Sequence, residues 1–427
     1  MEEVAIMARS NLAEAHDENV EPEISGCEYP IPRISIAAFC EGADLTSALQ
    51  GAATDRRLAR AHVEIHKGGA REAARHFAQN PTPDLLLVET VSAPDGVLAE
   101  LDQLAQVCDE KTKAIVIGRT NDVQLYRQLI RSGISEYLLA PIAPLQVIEA
   151  ISDLYADKAS APPGKLVAFA AARGGAGAST LAHNLAWSVA NTLKVNTAII
   201  DLDLAFGTVG LNFNQEPSPG VAEALAAPDR IDDVLLERLF LKCGEHLSLL
   251  TAPLSLEQDH NFEPEAIETL IDRARGMTSC VVVDLPHVWN ASTRNILHHA
   301  DEIVIVATPD LATLRNCKSL LQAIKSRRAN DSPPKVIINQ VGMPKRKEVP
   351  LKEFAATVGQ EPESVLNFDP ALFGLAANNG QMFAEVQPKS RAAEAMRQLA
   401  KTVTGRQNKS DAKDSMFSLS FLGLKSK

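Results

Sequence analysis

The stretch Lys165 to Asn184, KLVAFAAARGGAGASTLAHN, constrains this chain more than any other. A short apolar run, Leu166 to Ala172, reads as a buried strand. Gly174, Gly175 and Gly177 follow, then Ser179-Thr180 and an apolar helical pattern. Strand, glycine-rich turn and helix together form the layout of a phosphate-binding loop. Glycines let the backbone wrap an anion without Cβ atoms in the way. The helix then aims its unpaired N–H groups and the positive end of its dipole at that anion. The Ser179 hydroxyl stands where a magnesium ligand would sit. For this window alone, a glycine-rich strand-to-helix turn that binds nothing is the competing reading.

The downstream sequence favours the loop. Thr197–Ile200 reads as a strand ending at Asp201-Leu202-Asp203, and Val281-Val282-Val283 as a buried strand ending at Asp284-Leu285-Pro286. Ile303–Ala307 leads through Thr308-Pro309-Asp310 into a long helix. Val336–Ile338 ends at Asn339, and Ser390–Thr404 closes the region as an amphipathic helix. Strands alternating with helices predict a parallel sheet covered on both faces.

These strand-end signals, in this order, resemble the ParA/MinD family of partition and division-site ATPases. That family's deviant Walker A loop is written K-G-G-x-G-K-[ST]; the window here is Arg173-Gly174-Gly175-Ala176-Gly177-Ala178-Ser179, followed by Thr180. The resemblance implies ATP and magnesium as cofactors, with residues 173–180 around the phosphates. Ser179 would bind the metal directly, and Asp284, as the Walker B acid, would hold it through water. Asp203 matches the carboxylate that orients the attacking water, although a capping aspartate explains it equally well. Asn339 matches the position whose amide reads adenine. The resemblance also implies a homodimer through the nucleotide face, in which Arg173 takes the place of the signature lysine that reaches the partner's phosphates. A guanidinium pairs phosphate in a bidentate way.

Three departures bear on activity. Ala172 replaces the loop's first glycine, Arg173 the signature lysine, and Ala178 the lysine that reaches the β- and γ-phosphates. An ammonium bonded to phosphate contributes about 1.5–3 kcal/mol. Loss of a preorganised donor costs on the order of 10²–10³ in rate. Binding is expected to survive, and hydrolysis to be weak or absent.

Upstream, Ile34–Phe39, Ala61–Ile65, Leu85–Val88, Ala114–Ile117 and Glu136–Leu139 read as five strands of a second parallel α/β domain. Their order resembles the receiver domain of two-component regulators. A receiver needs an aspartate nucleophile after its third strand, an acidic pair after its first and a lysine before the strand-five proline. This chain has Glu89, Glu41 alone and Ala140 before Pro141. The domain therefore reads as a pseudo-receiver, a surface without phosphorylation chemistry. The expected organisation is two doubly wound α/β domains: an acidic disordered arm over 1–33, the pseudo-receiver over 34–156, a linker over 157–164, the nucleotide-binding domain over 165–405 and a flexible tail over 406–427.

Composition narrows the function classes. The net charge of −12 argues against nucleic acid as a partner. Six scattered cysteines without a C-x-x-C pair suit reduced thiols, and ten histidines form no metal-spaced cluster. No apolar run reaches the ~20 residues of a membrane span, and no signal peptide is visible. A pseudo-receiver followed by a degraded R-G-G-x-G-A-S-T loop resembles the CpaE/TadZ family, which helps place and assemble Flp/Tad-type pili. That resemblance implies a cytoplasmic scaffold at the cell pole near the inner membrane. Its partners would be a polar landmark protein, the pilus secretion ATPase and the inner-membrane pilus platform. A cycling ParA-like ATPase that positions or partitions cargo is the alternative. In the tail, Phe417, Phe421 and Leu424 fall at helical spacing, with Lys425 and Lys427 at the end. Peripheral membrane contact, a partner-binding peptide and a solvated end all stay open for it.

Overall fold

Strands that are apolar along their whole length must be covered on both faces, and the central strands of both sheets in this protein are built that way. The computed structural model describes residues 31–92, 94–156, 162–216, 218, 220–253 and 262–405. Residues 1–30 of the arm, 157–161 of the linker and the whole tail lie outside the described residues. Of the segment assigned to the arm, Ile31 is buried in the core of the first domain.

The first domain carries β1 (Ser35–Cys40), α1 (Ala43–Ala53), β2 (His62–Lys67), α2 (Ala70–Phe77), β3 (Leu85–Glu89), α3 (Pro94–Ala105), β4 (Lys113–Gly118), α4 (Val123–Arg131), β5 (Glu136–Leu139) and α5 (Pro144–Tyr155). Its sheet has the order β2-β1-β3-β4-β5, and every pair is parallel. The central strand β3 is buried along its whole length. One apolar layer packs α1 and α5 against the sheet, and the other packs α2, α3 and α4.

The second sheet has eight strands: β6 (Lys165–Ala171), β7 (Thr197–Asp201), β8 (Leu241–Lys242), β9 (Leu247–Leu250), β10 (Cys280–Asp284), β11 (Glu302–Ala307), β12 (Lys335–Val341) and β13 (Ser364–Asn367). Their order is β13-β12-β11-β6-β10-β7-β9-β8, parallel except for the short antiparallel edge strand β8. The short strands β8, β9 and β13 were not read from the sequence. They are two to four residues long and carry little periodicity. The helices that matter below are α6 (Ala178–Trp187), α7 (Pro264–Met277), α8 (Ala291–His299), α9 (Leu311–Lys325) and α10 (Arg391–Thr404). β6 sits between β10 and β11, so the glycine loop emerges at the middle of the sheet. In open α/β sheets, ligands bind outside the carboxyl ends of the strands.

A clasp of charged residues joins the two domains. The Asp331 carboxylate accepts from Arg56 Nε at 2.9 Å, from Arg328 Nε at 2.7 Å and from Arg57. Asp301 accepts from Arg56 at 3.3 Å, Arg275 at 2.8 Å and the Leu166 amide at 2.9 Å. Asp55 accepts from Arg57 and from the Asn330 amide at 3.0 Å, and Arg60 pairs with Asp272 and Glu268 on α7. The side chains of Arg56, Arg57, Arg328 and Asp331 are all largely buried. Removing one partner from a buried pair leaves an uncompensated charge, which opposes separation. The clasp meets the second domain at Leu166, near the start of β6, while the glycine loop leaves the other end of that strand.

A candidate nucleotide site at the strand ends

The loop that leaves β6 at Ala171 turns into α6 at Ala178, with Gly177 as its N-cap at φ 94°. Gly175 also has positive φ, at 79°. At Gly177 a Cβ atom would come within 2.6 Å of the Asn339 amide nitrogen. Both the dihedral and the space require glycine there. Ala176 and Ala178 are buried, Ser179 and Thr180 are half-buried, and Arg173, Gly174 and Gly175 are exposed.

Asn339, near the middle of β12, is buried beneath this loop. Its Nδ2 donates to the Ala176 carbonyl at 2.9 Å, and its Oδ1 accepts from the Gln340 amide at 2.9 Å. Its amide thus holds the loop, beside the adenine contact that the resemblance implies for Asn339. Gln340 adds a second clamp, donating to the Gly175 carbonyl at 2.9 Å.

Asp284 ends β10, where its Cα registers with Asp201 on one side and Phe169 on the other. Neither carboxylate oxygen has a hydrogen-bond partner, although the residue is buried. His183 Nε2 lies 3.4 Å from Oδ2. The Nδ1 of that imidazole lies 2.7 Å from the Asn212 amide nitrogen. A buried acid with two unengaged oxygens is costly and is the donor a hard cation takes. The residues present therefore fit magnesium: Ser179 and Asp284 would hold it, and the ion would neutralise phosphate charge.

Asp201 is fully buried and accepts from the Asp203 amide at 3.2 Å and the Val209 amide at 3.1 Å. Burial, and then the neighbouring Asp284, push its carboxyl up to about 7. Asp203, two residues beyond the strand, accepts from the Phe206 amide at 3.1 Å, the geometry of a turn cap. Of the two acids in Asp201-Leu202-Asp203, the one that couples electrostatically to Asp284 is Asp201. Sequence reading assigns Asp203 to the attacking water through the resemblance, and the burial that separates the two acids is not visible in a D-x-D pattern. It also missed His183, which a helical spacing of four from Ser179 would have flagged.

Arg173 is exposed, with Nη1 at 3.7 Å from Asp310 Oδ1. Asp310 caps α9 through the Thr313 amide at 3.0 Å and accepts from the Thr308 hydroxyl at 2.6 Å. This explains the Thr308-Pro309-Asp310 signature: the turn fixes an acid beside the loop. Arg173 thus already has a weak anionic partner in its own chain.

A family model described as an AAA domain matches residues 164–335. The crystal structure of the pilus assembly protein CpaE from Caulobacter crescentus CB15 is 48% identical over 30% of this chain and 98% of its own, with a TM-score of 0.30. The chain belongs to the CpaE family of pilus assembly proteins. The ParA family ATPase from Chlorobium tepidum TLS is 26% identical over 55% of this chain and 98% of its own, with a TM-score of 0.51. An uncharacterised ATP-binding protein of Methanocaldococcus jannaschii is 25% identical over 56% of this chain and 87% of its own length. The second domain thus carries a MinD-like P-loop sheet within a CpaE-family protein.

In the first domain, the acid at the corresponding strand end is engaged. Glu89 ends β3 and is buried, and its Oε2 accepts from the Glu41 amide at 2.7 Å and the Gly42 amide at 2.8 Å. The carboxylate is folded onto the backbone that enters α1.

Proposed function

We propose that this protein is an ATP-binding localisation and assembly factor for Flp/Tad-type pili that hydrolyses ATP slowly or not at all. The observation that carries the reading is the pairing of Ala178 with Asp284. The loop keeps its left-handed glycines and the magnesium acid, and it lacks the ammonium that bears charge during phosphoryl transfer. Such a site holds nucleotide as a conformational ligand. Asn339 and Gln340 clamp the loop from β12, and Asp203 keeps a candidate role in orienting water.

The proposed assembly is a homodimer through the nucleotide face. Phe206, Val288 and Leu311, beyond the ends of β7, β10 and β11, are 74%, 54% and 74% exposed, which supports a covered surface there. On dimerisation Arg173 would exchange Asp310 for the partner's phosphates. The pseudo-receiver would serve as the docking module. Val123, Tyr126 and Ile130 on α4 and Leu139 on β5 are exposed apolar residues on that domain, a feature of interaction sites. The proposed partners are the pilus secretion ATPase and its inner-membrane platform, with a polar landmark protein setting the position. Among the described residues, no helix is long and apolar enough to cross a membrane.

The test combines calorimetry with imaging. Saturable magnesium-dependent ATP binding with turnover far below about 1 s⁻¹, together with a polar focus of a fluorescent fusion and loss of surface pili on deletion, is the expected result. Turnover near that value, with diffuse fluorescence and a partition defect, would transfer the reading to a cycling ATPase.

A further inference from the structure

Away from the P-loop, a cavity of about 230 Å³ opens between α8 and the end of α9. Its walls include Trp289, Arg294, His298, Ile324, Arg327 and Arg328. Arg328 is committed, donating to Asp331 and to the Leu297 and Ala300 carbonyls at 2.8 and 2.6 Å. Arg294 and Arg327 are different. Among the described residues, neither guanidinium has an acidic partner or a side-chain hydrogen bond. His298 Nδ1 is shielded from solvent and has no hydrogen-bond partner either. Trp289 is half exposed beside them.

This is a concentration of unmatched positive charge on a chain whose net charge is −12. Its effect is felt by His298, whose imidazole is pushed down to about 4 by burial and then by His299, Arg328, Arg56 and Arg327. At neutral pH the ring is therefore uncharged, and its Nδ1 is a neutral hydrogen-bonding atom whose role follows the tautomer. Two free guanidinium groups suit a phosphate, which they pair in a bidentate way. An exposed indole suits the face of a flat ring, and the unpartnered imidazole nitrogen suits an edge group on that ring. The volume lies below the ~300–1,000 Å³ of pockets that enclose a drug-sized ligand, so a nucleoside monophosphate would sit partly enclosed, with a triphosphate chain fitting less well.

We propose that this cavity binds a small aromatic phosphate of the nucleoside monophosphate class, independently of magnesium and of the P-loop. None of the residues lining it belongs to the glycine loop. Its floor residue Arg328 holds Asp331, which Arg56 and Arg57 of the first domain also grip. An occupant would therefore sit beside the joint between the two domains.

The experiment is calorimetry on the full chain in EDTA with GMP, AMP and inorganic phosphate. Four proteins are compared: the parent, Gly177→Ala, Arg294→Ala/Arg327→Ala and Trp289→Ala. Gly177→Ala disables the P-loop through its φ and the Asn339 approach, and the arginines removed have no partners whose loss would unfold the domain. The expected result is saturable nucleotide binding at one site, retained in Gly177→Ala and weakened tenfold or more in the double variant. Trp289→Ala should weaken the nucleotides several-fold and leave phosphate unchanged. Three results would overturn the proposal: no saturable binding of any probe, binding lost in Gly177→Ala with the double variant unaffected, or binding of phosphate without any preference for a nucleotide. Melting curves of each variant separate loss of the site from loss of the fold.

Discussion

Glu89 and Asp284 are the same feature in two domains: an acid at the carboxyl end of a central, fully buried parallel strand. Their surroundings differ completely. Glu89 is received by two backbone amides, whereas neither oxygen of Asp284 has a hydrogen-bond partner and the His183 imidazole stands 3.4 Å away. A carboxylate tied to amides is a structural brace, with its charge compensated inside the chain. One left buried without hydrogen bonds is costly, and a bound cation would offset that cost. The first domain has thus closed its strand-end chemistry into the backbone, and the second has kept its own open. The same strand architecture holds an engaged acid in one case and an acid without hydrogen bonds in the other.

The largest expected effect breaks the open half of this contrast. Asp284→Asn should lower magnesium-dependent ATP affinity by about 10–100-fold, the range seen when groups that support a metal are removed. The same change should raise the melting temperature of the nucleotide-free protein, because a buried unengaged charge disappears. Isothermal titration with and without magnesium, beside a thermal melt, checks both. A variant that still binds ATP in a magnesium-dependent way would show that Asp284 is a brace like Glu89.

The next effect sharpens the contrast by restoring what the loop lacks. Ala178→Lys should tighten ATP binding by about tenfold or more, since an ammonium-to-phosphate bond contributes about 1.5–3 kcal/mol. It should also raise turnover in a coupled phosphate-release assay. An unchanged affinity would mean that the loop no longer shapes a phosphate cradle.

The smallest effect concerns the closed half. Glu89→Gln keeps the shape and replaces two charge-assisted hydrogen bonds with weaker ones, at a cost of about 1–2 kcal/mol in denaturant unfolding. ATP binding at the second domain should not change. Incubation of the parent with acetyl phosphate should add no mass to residues 34–156 by intact and peptide mass spectrometry, because the carboxylate is already engaged. A phosphorylated peptide from that region would reopen the receiver reading.

How much of this was legible in the chain follows from what each feature depends on. The glycine loop, the long buried strands and the strand-end acids were readable because their signals are local. Apolar runs, glycine spacing and an acid after a run survive without knowledge of the fold. The short strands β8, β9 and β13 were not, because two to four residues carry too little periodicity to mark a strand. The roles of the acids were only half readable. Asp201 and Asp203 are alike in sequence, and only burial beside Asp284 distinguishes them.

By itself, then, the sequence determined two parallel α/β domains, a phosphate-type loop without its lysine and a receiver-like order without its nucleophile. Each of these rests on residue type and spacing within a few dozen positions. The tertiary structure alone decided which acids are braced and which are open, because that depends on amides and imidazoles brought in from other elements. It also decided that Asn339 holds the loop, that Arg173 rests on Asp310, and that arginines near position 56 grip aspartates near positions 301 and 331. Contacts between residues more than two hundred positions apart follow from packing, which the order of residues along the chain does not display.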